Sequence, residues 1–351
     1  MKRILSGTIL LLANVFCASA QDQLFTQFYH SPLFLNPAFT GCGKSDFRAS
    51  FTSRLQWINL PSPLRSHSLA IDKYFHYPKA SVGLIATRID EGYLNNSQLS
   101  VIGAKSLGSD EDNCQDWFLN FAIQAGVSWR NANRKRLLFS DQLNENGPTG
   151  QQSQFELFKY GNRPYFDISS GAIFVYRNVM LGVAGYHLSK PFNGLFGNEP
   201  GSRLPRRFTV HLSYITDKYP MIDTRILLKP TVIFNIQDVS RSVMVGTLLD
   251  FPNEGFELSA WYKNNLGMVQ NHSISIGFNL KIGRDRNAYT GDASTRFNIG
   301  LTGDAELNRP GVGYTKGSYE LGMMYERNLN SDNICPKPYG ECPVRFPWVF
   351  H

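Results

Sequence analysis

The chain has 351 residues, of which 42% are hydrophobic and only 18% charged, with a formal net charge of +7. So mild a positive balance does not imply a nucleic-acid partner. Beyond residue 20 no apolar run approaches the ~20 residues of a membrane helix, which leaves a secreted β protein or a barrel that crosses a membrane with strands.

The first element is a secretory signal over residues 1–20. Lys2 and Arg3 make a positive start, and an apolar run extends from Ile4 to Ala18. Ala18-Ser19-Ala20 is a small-x-small site, so cleavage is expected between Ala20 and Gln21. Phe16 before Cys17 argues against a lipoprotein site. Removing Lys2 and Arg3 lowers the formal charge to +5 and leaves 331 residues with four cysteines. Next comes QFYHSPLFLNPAFTG, Gln27 to Gly41. It has four aromatics and two prolines and lacks alternation, so neither a helix nor a strand is expected there.

From residue 46 onward the repeating signal has period two. In Trp117 to Arg130, one face carries Trp117, Leu119, Phe121, Ile123, Ala125, Val127 and Trp129, while the other is small and polar apart from Phe118 and Ala122. Fourteen alternating residues exceed a globular strand of ~5–6 residues and cover the ~9–11 of a membrane strand. Tryptophan at both ends matches interfacial aromatic girdles. Residues 272–281, 207–216 and 318–326 repeat the pattern. Their polar faces are dominated by Gly, Ser, Asn and Thr, as suits a barrel lumen better than a wet sandwich face. Fourteen such segments are expected: 46–57, 66–74, 80–89, 96–106, 117–130, 165–176, 179–188, 206–216, 225–235, 240–250, 256–263, 272–281, 295–303 and 317–327. The fold class is therefore all-β, a transmembrane antiparallel barrel spanning residues 46–327, with an even strand number.

Assigning the rim with the longest loops, 131–164 and 189–205, to the cell exterior places both termini in the periplasm. Residues 21–45 become a periplasmic plug or docking segment, and 328–351 a periplasmic tail. Cys42, Cys114, Cys335 and Cys342 then share one side. Cys42–Cys114 and Cys335–Cys342 bonds are geometrically allowed, with free thiols or the other pairings as alternatives.

Signatures of catalysis are missing: there is no H-E-x-x-H, no G-x-S-x-G and no C-x-x-C. No histidines stand at metal-ligand spacing, and no cofactor is expected. His187 and His211 fall on adjacent strands and could face each other as polar lumen residues. The acid-rich turn 109–116 reads as a solvated turn before a calcium loop, and residues 311–317 as an external loop rather than a phosphate loop. Two basic clusters, Arg130 with Arg134, Lys135 and Arg136, and Arg203 with Arg206 and Arg207, are expected at the outer headgroups. There they would anchor the barrel or bind lipid phosphates or an acidic partner.

The opening stretch resembles the start of the PorP/SprF family of outer-membrane proteins of the type IX secretion and gliding machinery of Bacteroidetes. The matching positions are Gln27, Phe28, Pro32, Asn36, Pro37, Ala38 and Gly41. Arg54 to Trp57 resembles the family's R-x-Q-W, and Asp90 to Gly92 its D-x-x-G. The run through Phe139 and Asp141 resembles its L-x-F-x-D-Q. Leu181 to Pro191, with His187, resembles a further family element. Ser318 and Glu320 match G-S-H-E, with Tyr319 in place of histidine.

The resemblance implies a barrel similar to the long-chain fatty-acid transporter fold and a non-enzymatic role. Its implied partners are outer-membrane lipid, periplasmic type IX components and a large surface protein carrying a type IX C-terminal domain. That cargo would be exported or held by non-covalent contacts. A passive channel for hydrophobic or small solutes is the alternative. The aromatics of the opening stretch are expected to fold under or into the barrel mouth.

Overall fold

Strict alternation leaves each strand with one apolar and one polar face, and a closed sheet satisfies both. In this computed structural model, residues 22–43, 45–75, 78–107, 117–132, 140–145, 147–151, 164–176, 178–192, 203–216, 226–251, 254–266, 272–284, 295–308 and 311–327 are described. Fourteen strands form the wall. They are β1 (Phe47–Gln56), β2 (Leu64–Phe75), β3 (Ala80–Glu91), β4 (Leu94–Leu107), β5 (Trp117–Ala132), β6 (Tyr165–Tyr176) and β7 (Val179–Tyr186). The second half comprises β8 (Arg207–Tyr214), β9 (Leu227–Gln237), β10 (Ser240–Phe251), β11 (Phe256–Asn265), β12 (His272–Arg284), β13 (Thr295–Glu306) and β14 (Ser318–Arg327).

Each strand pairs antiparallel with its sequence neighbours, and β1 pairs with β14 to close the barrel, Phe47 opposite Arg327 and Gln56 opposite Ser318. Closure leaves no sheet edge, which is what hydrocarbon demands of a spanning sheet. All fourteen expected segments are present, about half of them extended by two or three residues at one end and a few shorter than expected.

The register sends Leu69, Ile71, Val101, Phe121, Ile123, Phe208, Val210, Ile276 and Phe278 outward, where they are exposed. Trp117 and Trp129 mark the two ends of β5 on that outer face. An apolar belt facing outward is stable only against lipid. The inner face is polar, as expected, but it also carries buried charge in the same phase: Arg48, Arg54, Asp72, Lys229, Asp250, Glu257, Asp304, Glu320 and Glu326.

Residues 22–43 fill the lumen. Phe28, Tyr29, Leu33, Leu35, Ala38 and Phe39 are all buried and form one core with Ile102, Leu248 and Trp261 of the wall. The prolines do not keep this segment irregular throughout. Pro32 begins a single helical turn, α1 (Pro32–Leu35), and Pro37 begins a 3-10 turn, Pro37–Phe39. Proline is tolerated at the first position of such turns because its missing N–H would have no partner there.

The ends of the described chain, Asp22 and Arg327, do not share one side of the barrel. Asp22, the first described residue, donates its backbone N–H to Gln237 Oε1 at the end of β9 (2.8 Å). Arg327, the last described residue, pairs with Phe47 at the start of β1. With antiparallel strands these lie at opposite rims. Residues 22–43 therefore run the length of the lumen as a strap, from the long-loop rim to the start of β1.

A small outer ribbon pairs Leu143–Asn144 with Gly147–Pro148. The expected plain loop at 311–317 contains a five-residue helix, α2 (Gly311–Thr315).

Candidate functional site: the strap and its seats

The strap is held at four levels. At the long-loop rim, the Asp22 carboxylate accepts from His187 Nε2 (2.9 Å) and meets Arg207 Nη1 (3.3 Å). His187 Nδ1 meets Asp167 Oδ2 at 2.7 Å. Burial disfavours the charged form of His187, but Asp22 and Asp167 outweigh it and lift its pKa to about 9. Burial likewise works against the Asp22 carboxylate, and His187 and Arg207 overcome it to hold its pKa below the ordinary range.

One step deeper, the Glu320 carboxylate accepts the backbone N–H of Thr26 (2.9 Å) and of Gln27 (2.6 Å). Arg54 Nη1 donates to the same carboxylate at 3.0 Å, and its Nη2 donates to Asp304. Lys263 Nζ completes the cluster at 3.2 Å from Asp304. Gln27 Nε2 donates to the Glu320 carbonyl, so Gln27 Oε1 must accept, and His30 Nδ1 carries the proton it accepts (2.8 Å).

At mid-lumen Asn36 is fully buried. Its Oδ1 accepts Ala38 N–H (2.9 Å), and its Nδ2 is shared among the carbonyls of Ala172 and Val183 and His211 Nε2, at 3.1–3.2 Å. Phe39 stacks on His211 at 5.3 Å and Phe28 meets Trp261 edge-on at 5.0 Å. Wall glycines make room for this. A Cβ at Gly171 would lie 2.0 Å from Asn36 Oδ1, and one at Gly322 would lie 2.5 Å from Gln27 Oε1.

At the exit, Arg48 bonds Asp72 in bidentate fashion (2.9 and 3.0 Å) and donates to the carbonyls of Phe39 (2.7 Å) and Cys42 (2.8 Å). Asp72 also accepts Gly41 N–H at 2.7 Å. Gly41 has φ +69°, and a Cβ there would fall 1.8 Å from Ser81 Oγ, so two separate constraints require glycine.

The structure thus places Gln27, Phe28, Pro32, Asn36, Pro37, Ala38 and Gly41 together in the lumen, all buried. It brings Arg54 and Glu320 to them. Trp57 lies at the long-loop rim with φ +58°, donating Nε1–H to Glu306, and Ser318 is buried beside it at the start of β14. Asp90 and Gly92 belong instead to the β3–β4 hairpin, where Asp90 accepts from Arg88 and Gly92 has φ +65° in the turn. Pro191 accepts Leu204 N–H in a loop, and Asp141 lies in a 3-10 turn of the β5–β6 connection.

Several expectations are corrected. His187 and His211 do not face each other: His187 closes the rim latch, while His211 pairs with Gly182 in the register and lies under Phe39. Arg207 and Arg130 do not reach toward headgroups. Arg207 shares the inward phase of Thr209 and His211 and lies 4.0 Å over the Tyr186 ring, and Arg130 shares the phase of Ser128 and pairs with Glu91 (3.2 Å). Arg203 stays outside on Phe192, and exposed Arg206 donates to the Leu188 carbonyl.

Cys42 is a free buried thiol, which is one of the alternatives left open, and is not bonded to Cys114. It donates to the Ala38 carbonyl (3.1 Å) and accepts from Asn120 (3.1 Å). Cys114, Cys335, Cys342, Arg134, Lys135, Arg136, Phe139, Ala20, Gln21, the 109–116 turn and the 328–351 tail lie outside the described residues.

Arg48, Asp72, Asn120 and Asp304 are among the strap contacts that sequence reasoning missed. Each stands in phase with the small polar face of its strand, so a charged or amide side chain at an inward position was the available signal.

Among solved structures, the Acinetobacter baumannii outer membrane protein Omp33 aligns at 8% identity and TM-score 0.38, covering 81% of this chain and 98% of that one. A TodX deltaS2S3 mutant monoaromatic hydrocarbon channel aligns at 8% identity and TM-score 0.45, over 85% and 94%. The KdgM porin aligns at 7% and 0.29, over 80% and 98%. No curated protein matches the chain. The family described as type IX secretion system membrane protein PorP/SprF matches residues 18–325, nearly the whole chain. The chain belongs to the PorP/SprF family of type IX secretion system membrane proteins.

Proposed function

We propose that the protein is an outer-membrane component of the type IX secretion or gliding apparatus that binds its partners at its rims. It assists export or surface attachment of a large cargo protein by non-covalent contacts. The long-loop rim faces outward and grips the cargo's C-terminal domain, while the opposite rim and the tail 328–351 meet periplasmic components.

One observation carries this reading: the lumen is occupied by the strap, whose buried aromatics pack as a core rather than lining a path. A filled barrel serves better as a scaffold than as a conduit. Geometry also favours it, because the strap links the two rims on which the partners would act.

The test is affinity purification of tagged protein from native membranes in mild detergent, with mass spectrometry of the co-purifying proteins. Recovery of a large surface protein with a type IX C-terminal domain is expected. A bare barrel, even after cross-linking, overturns the proposal in favour of a passive channel. Planar-bilayer conductance gives a separate check: wild type should be silent and a chain lacking residues 22–40 should conduct.

A further inference from the structure

At the long-loop rim a cavity of about 300 Å³ lies between the outer end of the strap and the wall strands β1 and β9–β13. Leu24 and Phe25 of the strap, with Leu35, Met244 and the Trp57 ring, make one side apolar. The charged lining residues are Asp22, Glu91, Asp304 and Glu306 with Arg54 and Lys263, and most of them are paired within or just beyond the cavity. Among the described residues, Asp304 and Glu320 face Arg54 and Lys263. Asp22 and Asp167 face His187 and Arg207. Glu91 faces Arg130.

Glu306 remains. It is only 6% exposed, it lines the cavity, and its hydrogen-bond partner among the described residues is the neutral indole N–H of Trp57. A buried carboxylate with no cation in contact is costly to hold, and a cation arriving beside it recovers part of that cost. Among the described residues no cation is in contact with Glu306: Arg54 and Lys263, the cations that line the cavity, are already paired with Asp304 and Glu320, and an apolar wall and an aromatic face lie beside the acid.

We propose that this vestibule binds a cationic group on a short apolar stem, a guanidinium or ammonium such as an arginine or lysine side chain. The head pairs with Glu306, and the stem lies along Leu24, Phe25 and Met244. Trp57 both holds the carboxylate and offers its ring to the cation. The inference stands on the cavity and its charge, and is independent of whether cargo binds at this rim.

The experiment is calorimetric titration of the full chain in detergent with Nα-acetyl-arginine amide, and with the isosteric neutral citrulline derivative. Saturable one-to-one binding of the arginine derivative and none of the citrulline derivative is expected. Glu306→Gln should weaken binding about tenfold or more, the scale of one lost charge-assisted contact. Ser242→Phe, which narrows the cavity without touching charge, should weaken it as well and serves if Glu306→Gln fails to assemble. Equal binding of the two derivatives, wild-type affinity in the variants, or no saturable binding by about 10 mM overturns the proposal. A Gly-Arg-Gly amide binding more tightly than the single residue assigns the cation to a protein side chain, and the reverse order to a free cationic solute.

Discussion

Two of the clusters of buried charge in the barrel wall differ in what they hold. Lys229 sits 2.8 Å from Asp250 and 3.2 Å from Glu257, with Lys281 closing the set at 2.6 and 2.7 Å. Its members come from β9, β10, β11 and β12, and they pair with one another. The cluster of Arg54, Asp304, Glu320 and Lys263 uses the same chemistry across β1, β11, β13 and β14, but it also takes the backbone N–H groups of Thr26 and Gln27. The first cluster joins strand to strand. The second joins strand to strap. Inward charge therefore has two uses in one lumen, and only the one that reaches the strap ties the family motif to the wall.

The sharpest way to break this comparison is to remove one cation from each cluster. Arg54→Ala leaves Asp304 and Glu320 buried with Lys263 as their one remaining cation, and should cost about 3–5 kcal/mol, the usual penalty for breaking a buried pair. Lys229→Ala leaves Lys281 to serve both acids and should cost less, about 1–3 kcal/mol. Urea unfolding in lipid vesicles measures both. A nitroxide on the strap should gain mobility in the first variant alone. Equal mobility in the two would mean that the strap does not depend on Glu320 and its partners.

Next in size is the seat at mid-lumen. Gly171→Ala forces a Cβ against the buried Asn36 and should cost about 1–3 kcal/mol, as overpacking does. Gly103→Ala on β4 meets no atom within 4 Å and should change stability by less than about 0.5 kcal/mol. If the two variants unfold alike, the strap is not fixed by the wall glycines.

Much of the barrel was legible because one rule, alternation, decides both strand identity and facing. Trp117 to Arg130 carried it with an unbroken apolar face, and the observed outer face of β5 is the one that the sequence indicates. The strap was half legible. Its aromatics and prolines marked it as neither free helix nor strand, but a segment without period gives no direction of travel, and nothing local in Asp22 announces a partner at the end of β9. The charged lumen was missed for another reason. Arg48 and Asp72 lie in different strands, and a pairing across strands becomes visible only when the register is fixed. Arg207 was misplaced because proximity to Arg203 and Arg206 in sequence outweighed its phase with Thr209 and His211.

A smaller effect is expected from Tyr29→Phe. The hydroxyl lies 3.3 Å from Ser259 Oγ, a contact between the strap and β11 that belongs to neither charge cluster. Its loss should cost about 1 kcal/mol and leave the strap in place. Unfolding that becomes non-cooperative in this variant would instead mean that the strap and wall separate before the barrel opens.

The rim latch gives the only effect of the set that depends on pH. The His187 pKa is raised from its ordinary value near 6.5 to about 9, so its contribution is complete below ~6.5 and is lost as pH rises through about 9. The Asp22 pKa is lowered, so its contribution holds above ~4 and is lost as pH falls below that. The latch is therefore fully closed between those limits and weakens on the alkaline side, where Arg207 alone remains on Asp22. A nitroxide on Leu24→Cys should report little mobility at pH 6 and a larger mobile fraction by pH 10, with a midpoint near 9. His187→Gln should flatten that profile, while Lys229→Ala, which alters only the wall, should leave it unchanged. A midpoint that survives His187→Gln would move the titration to another group and detach the latch from the strap.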